Sequence, residues 1–171
     1  MTQLLPQRAL KEGLPGLLAL LADPSGRAPL EHALNTETAQ AWTDIFVSSR
    51  HTAGNLNLIG KHIAEIAEVR NTTPAATVLD LLAEESGKVN IVAFNQIESN
   101  LRELLTHPLS SVITDGFYVS ERPHPCLAGA FPTFLGEFGR TRGWLSFPEA
   151  LRKIFSQQAN RLHLSGRGRL T

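Results

Sequence analysis

Three short runs of β-branched and aromatic residues punctuate an otherwise helical pattern, and this alternation constrains the fold more than any other feature. The runs are Ile45-Phe46-Val47 in "WTDIFVSS", the stretch "KVNIVAFN" at 88–95, and Val112-Ile113 in "SSVITDG" at 110–116. Strands separated by helices predict βαβ units and a parallel sheet. A complete (β/α)8 barrel needs eight strands and about 250 residues. A chain of 171 residues with three strands therefore reads as the closing part of something larger. The expected fold is α/β and helix-rich: a partial (β/α)8 barrel of the TIM type, about its last three β/α units, in a single domain over 1–171. Such a sheet keeps open edges, which invite association.

The helices are marked by local chemistry. Leu14, Leu17, Leu18 and Leu21 recur at helical spacing. Asp23 is placed to cap a second helix with Pro24 in its first turn, and Pro29 marks an irregular turn within it. In "GKHIAEIAEVRN", Ile63, Ile66 and Val69 are expected on one side. Thr73-Pro74 opens the next helix and Gly87 closes it. "IESNLRELLTH" is another helix, "FYVSERPHPCLAGAFPT" a long loop, and "FLGEFGRTRG" a further helix. The last, "FPEALRKIFSQQANRL", begins with a capping box from Ser146 to Glu149.

Charge excludes little. Sixteen basic and sixteen acidic residues cancel, although residues 140–171 hold seven Lys or Arg against one Glu. That basic tail has no interleaved aromatics, so it reads as a solvated face and no nucleic acid is expected. One cysteine, Cys126, rules out an intrachain disulfide and a thiolate zinc cluster. No apolar run is long enough to span a membrane and no signal pattern opens the chain. A cytoplasmic protein without membrane partners is expected.

Asp115 is the first candidate for chemistry, because functional groups in α/β folds gather at the C-terminal ends of strands. Asp-Gly is equally a common turn, which leaves both readings open. The six histidines form neither HxH nor HExxH. His62 would lie on an exposed helix face and His107 at a helix end. His124, nine residues beyond Asp115, could share a pocket with it or simply pack its loop. Cys126 has no evident helix start or base beside it to mark a nucleophile and reads as loop filler.

Taken together, ordered segments carry a resemblance. "LLP…LKEGLPGLLALLADPSGR", "IGKHIAEIAEVRNTTPAATVLDLLAEESGKV", "THPLSSVITDG" and "PHPCLAGAFPTFLGEFGRTRGWLSFPEALRKIFSQQANRLHLSGRGRL" are similar, in order, to the C-terminal portion of the N-acyl-D-amino-acid deacylases. These D-aminoacylases belong to the metal-dependent amidohydrolase superfamily. The resemblance implies a (β/α)8 barrel in which zinc polarises an amide and activates water, with an N-acyl-D-amino acid as substrate. It implies that Asp115 takes the water's proton and passes it to the leaving amine. Gly116, His124 and Cys126 would line the substrate loop.

The departures matter as much. The family's HxH and other metal ligands belong to an upstream barrel half, and a small β-sandwich completes the fold; neither is expected in these residues. Asp115 is a weak metal ligand alone, since zinc takes about three protein ligands in catalytic sites. This chain by itself is expected to bind no metal and to be inactive. Cys126 stands where the family has an arginine that would grip the substrate carboxylate, and Thr114 replaces a serine. Partners would be an upstream barrel half or a second copy. The alternative reading is a non-catalytic remnant or interaction module.

Overall fold

A computed structural model describes residues 1–118 and 121–169. The described residues divide into two compact units, one of residues 1–95 with 121–122, the other of 96–118 with 123–169. Each is described by itself.

Among the described residues, the first unit packs four α-helices with a two-stranded sheet. Helix α1 spans Gly13–Ala22 and α2 spans Pro24–Glu37; strand β1 is Ile45–Ser49. Helices α3 (Ile63–Arg70) and α4 (Pro74–Glu84) precede strand β2 (Asn90–Ala93). The caps fall where short polar side chains can reach a free helical N–H. Asp23 accepts from the Ser25 N–H, and Thr73 Oγ1 from the Ala76 N–H. Pro29 sits inside α2 without ending it. Leu82 accepts from the Gly87 N–H at 2.7 Å, with Gly87 at φ +74°, a conformation glycine adopts freely. Helix α4 packs against α1, α2 and α3. Leu17, Leu34, Ile45, Ile63, Ile66, Leu79, Leu81 and Leu82 form the centre of the core. Val69 does not join Ile63 and Ile66 on that side: it is 74% exposed, because steps of three residues drift around a helix of about 3.6 residues per turn.

The sheet departs from expectation. β1 and β2 pair antiparallel, Phe46 opposite Val92, with an irregularity between Val47 and Ser49. A parallel pairing needs one crossover element between strands. Here two helices, α3 and α4, intervene, and the additional reversal brings the chain back in the opposite direction.

The second unit is helical. It contains α5 (Glu98–Thr106), α6 (Cys126–Thr133), a π-helix at Phe134–Thr141, α7 (Phe147–Ile154) and α8 (Ser156–Arg161). The expected third strand at 110–116 does not form: among the described residues it has no strand partner. The expected loop at 117–133 becomes helical from Cys126. The long final helix breaks at Phe155, whose φ/ψ of −127°/−80° is not helical. The capping box forms as expected, Ser146 and Glu149 exchanging hydrogen bonds. In the π-helix, the Arg142 N–H donates to the Glu137 carbonyl five residues back at 2.8 Å. Phe134, Leu145 and Ala150 make the buried core, with Leu105, Val112, Leu135, Phe138 and Ile154 against it. No helix among the described residues is long and apolar enough to cross a membrane.

Candidate functional site

The Asp115 segment is held by side chains, because it has no ladder of its own. Helix α5 ends where the His107 N–H donates to the Glu103 carbonyl. A turn comes next, with the Ser110 N–H donating to the His107 carbonyl at 3.1 Å. From Ser111 to Phe117 exposure alternates: Val112, Thr114 and Gly116 are half-buried, while Ile113, Asp115 and Phe117 face solvent. Val112 packs on the second core. Asp115 has φ +46°, a left-handed conformation that aspartate tolerates better than most residues. Such a residue cannot continue a strand, so the expected barrel strand stops being regular at the residue of interest. Among the described residues Asp115 makes no hydrogen bond or ion pair.

Gly116 shows where the segment lies. A Cβ there would sit 2.5 Å from the Cα of Leu127, in the first turn of α6. Gly116→Ala must therefore push backbone from backbone and should destabilise the second unit by about 1–3 kcal/mol. Fluorescence of Trp144 against urea reads this out; an unaltered midpoint would show that the close approach is not there.

The same turn carries the other two candidates. Cys126 is the first residue of α6 and half-buried. It stands at a helix start, contrary to its reading as loop filler. His124 is exposed, and its Nδ1 accepts from the Cys126 N–H at 3.2 Å. His107 repeats this arrangement with the Leu109 N–H at 3.2 Å. In both, a His-Pro pair turns the chain so that the ring caps the second N–H beyond it. His62 also caps, accepting from the Glu65 N–H, and stacks its edge on Phe46 at 5.8 Å. It sits at the helix start, not on an exposed helix face. Three of the six histidines are thus committed locally. The fold brings Asp115-Gly116 to the turn bearing His124 and Cys126, but no hydrogen bond joins Asp115 to either.

Two buried polar side chains were not singled out from sequence. Glu85 is fully buried and accepts from the His51 and Thr52 N–H groups, Thr52 Oγ1 and Asn55 Nδ2, at 2.5–2.6 Å. Burial works to raise its pKa, but the hydrogen bonds from Thr52, Asn55 and His51 prevail and hold it below the ordinary carboxylate value. Lys153, also buried, faces the Asp115 segment's base. Spacing held the signal for both. Glu85 follows Val78, Leu81 and Leu82 on the apolar face of α4, and Lys153 follows Ala150 on that of α7.

No family model matches the sequence. The D-aminoacylase of Alcaligenes xylosoxydans xylosoxydans is 31% identical over 113 residues, which are 66% of this chain and 22% of that protein. A crystal structure of D-aminoacylase described as defining a novel subset of amidohydrolases aligns with a TM-score of 0.61 at 25% identity. The alignment covers 72% of this chain and 25% of that one.

The chain is similar to a segment of the D-aminoacylases.

It spans about a quarter of the length of these relatives. A further neighbour shares the fold: N-acyl-D-glutamate deacylase from Bordetella bronchiseptica, solved with zinc and a phosphonate that mimics the tetrahedral intermediate. Its TM-score is 0.67 at 21% identity, covering 82% of this chain and 27% of that one. The helix-rich α/β character expected from the sequence agrees with these D-aminoacylase structures.

Proposed function

We propose that this chain is the closing segment of an N-acyl-D-amino-acid deacylase, and that Asp115 is its proton-shuttling carboxylate. The observation that carries the reading is the meeting of Asp115-Gly116 with the His124–Cys126 turn, in a chain 31% identical to a D-aminoacylase over 113 residues. In the reaction, Asp115 accepts the proton of the water that attacks the amide carbonyl. It then gives that proton to the departing amine nitrogen, acting as base and then acid. His124 lines the substrate loop. Cys126 has no charge to offer a substrate carboxylate, so anchoring there is weaker than with a guanidinium.

Zinc is implied by the resemblance, and in this reading the described residues supply no complete site for it. Among the described residues no three His, Cys, Asp or Glu side chains converge, whereas a catalytic zinc takes about three protein ligands. Asp115 could contribute one donor at most; the others would come from an upstream barrel half. The segment alone is accordingly inactive in this reading, and the assembled protein is cytoplasmic.

Hydrolysis of N-acetyl-D-amino acids tests this, with and without added zinc, for the chain alone and combined with the upstream half of a D-aminoacylase. Turnover is expected only in the combination, and is expected to vanish in Asp115→Asn. Turnover by the chain alone would overturn its incompleteness. Undiminished turnover of the Asp115→Asn combination would overturn the role of the carboxylate.

The reading as a non-catalytic interaction module has one observation in its favour. Ile113 and Phe117, flanking Asp115, are 68% and 63% exposed, an apolar display suited to contact with another chain. It predicts self-association on size exclusion; a well-behaved monomer would count against it.

A further inference from the structure

Lys153 is 1% exposed and forms no ion pair among the described residues, although the Glu149 carboxylate one turn back acts on it through space. Taking an ammonium out of water is costly, and the cost stands unless its donors are used. All three find oxygen on one turn. Nζ donates to the His107 carbonyl, to the Ser110 carbonyl at 3.2 Å and to Ser110 Oγ at 2.9 Å. Gln157 on α8, 6% exposed, adds to the same place. Its Nε2 donates to the Ser110 carbonyl at 2.8 Å and to Ser111 Oγ at 3.2 Å. Arg152 fixes the other end of that amide, donating to Gln157 Oε1 at 2.6 Å.

The residues beyond Ser110 have few other restraints. Residues 111–118 make no backbone–backbone hydrogen bond among the described residues. Asp115 is four residues past the last clamped side chain, that of Ser111, and the next backbone contact is Gly116 on Leu127. The segment is thus tied at the Ser110–Ser111 turn, through Val112 on the second core, and at Gly116, with the carboxylate beside the last.

We propose that Lys153, supported by Gln157, is a positioning residue for the Asp115 segment: its ammonium clamps the His107–Ser110 turn and thereby fixes the segment that carries the carboxylate. A lysine serves here because one compact group with three donors can satisfy two carbonyls and a hydroxyl. A methionine would fill the space and leave all three oxygens without that donor. Calling this turn part of a site rests on the reading of Asp115 above; the clamp itself does not.

The test is nuclear relaxation on the 171-residue chain, comparing the natural protein with Lys153→Met. Backbone order parameters at Ser111–Thr114 should fall from the rigid range of about 0.85 to below about 0.6. Those of α7 should hold, and the Asp115 carboxyl carbon should shift or broaden. If Lys153→Met does not fold, Gln157→Met is read in the same way, since it leaves the buried charge in place. A segment that stays rigid in the folded variant, or a loss spread evenly over the second unit, would overturn the clamp. The outcomes separate from those of turnover. Activity retained in Asp115→Asn removes the catalytic reading and leaves the clamp, while a rigid segment in Lys153→Met does the reverse.

Discussion

Glu85→Leu is expected to destabilise the first unit by about 3–5 kcal/mol. The leucine adds apolar volume but leaves the His51 and Thr52 N–H groups, Thr52 Oγ1 and Asn55 Nδ2 without their shared acceptor. Each such buried donor costs about 1–3 kcal/mol when nothing replaces the bond, and water entering the loop recovers part of that. The loop after β1 would loosen first, because Glu85 is what ties it to the end of α4. Trp42 lies in the first unit and Trp144 in the second, so a Trp144→Phe background lets urea unfolding report the first alone. A stability change below a few tenths of a kcal/mol would show that the carboxylate is not the acceptor.

The same group sets an acid dependence. Its folded pKa lies below the ordinary value of 4.5, so the unfolded chain binds the proton more readily. The stability it contributes is therefore fully present above pH 4.5 and is lost as pH falls below that, through the lower folded pKa. Glu85→Gln should flatten the acid limb of the first unit's unfolding curve. It should also lower the plateau, since an amide can accept at only one of its two ends.

Phe134→Ala is expected to cost about 3–5 kcal/mol in the second unit. Among the described residues, Phe134 is the largest fully buried apolar side chain there, and its cluster otherwise buries just Leu145 and Ala150. A core this small has little to spare, because little apolar area is withdrawn from water to offset chain entropy. The stacked pair of Phe138 and Trp144, centroids 4.7 Å apart, lies against the same core through Phe138 and supplies the probe. The near-ultraviolet signal of Trp144 should weaken or melt early, while the Trp42 transition stays put. An equal shift of both transitions would contradict a core confined to the second unit.

Much of this protein was legible residue by residue. Asp23, Thr73 and the Ser146–Glu149 box cap the helices expected of them, because capping joins atoms two or three residues apart. The ordered motifs pointed to the D-aminoacylases for a related reason: they preserve local patterns that survive without knowledge of what they touch. Cys126 shows the limit of that. Its segment carries Pro125 and Pro132 and reads as loop, yet α6 starts there, and α6 meets Gly116 from outside the local sequence.

By itself, then, the sequence determined where most helices begin, which residues are apolar enough for a core, and which known proteins the chain resembles. Only the tertiary structure decided that β1 and β2 run antiparallel, that "SSVITDG" has no strand partner among the described residues, and which groups fill the hydrogen bonds of Glu85 and Lys153. Those outcomes depend on pairings between residues some 30 to 50 positions apart. At that distance the direction of a strand or the partner of a charge is set by packing, and no spacing rule within either segment contains it.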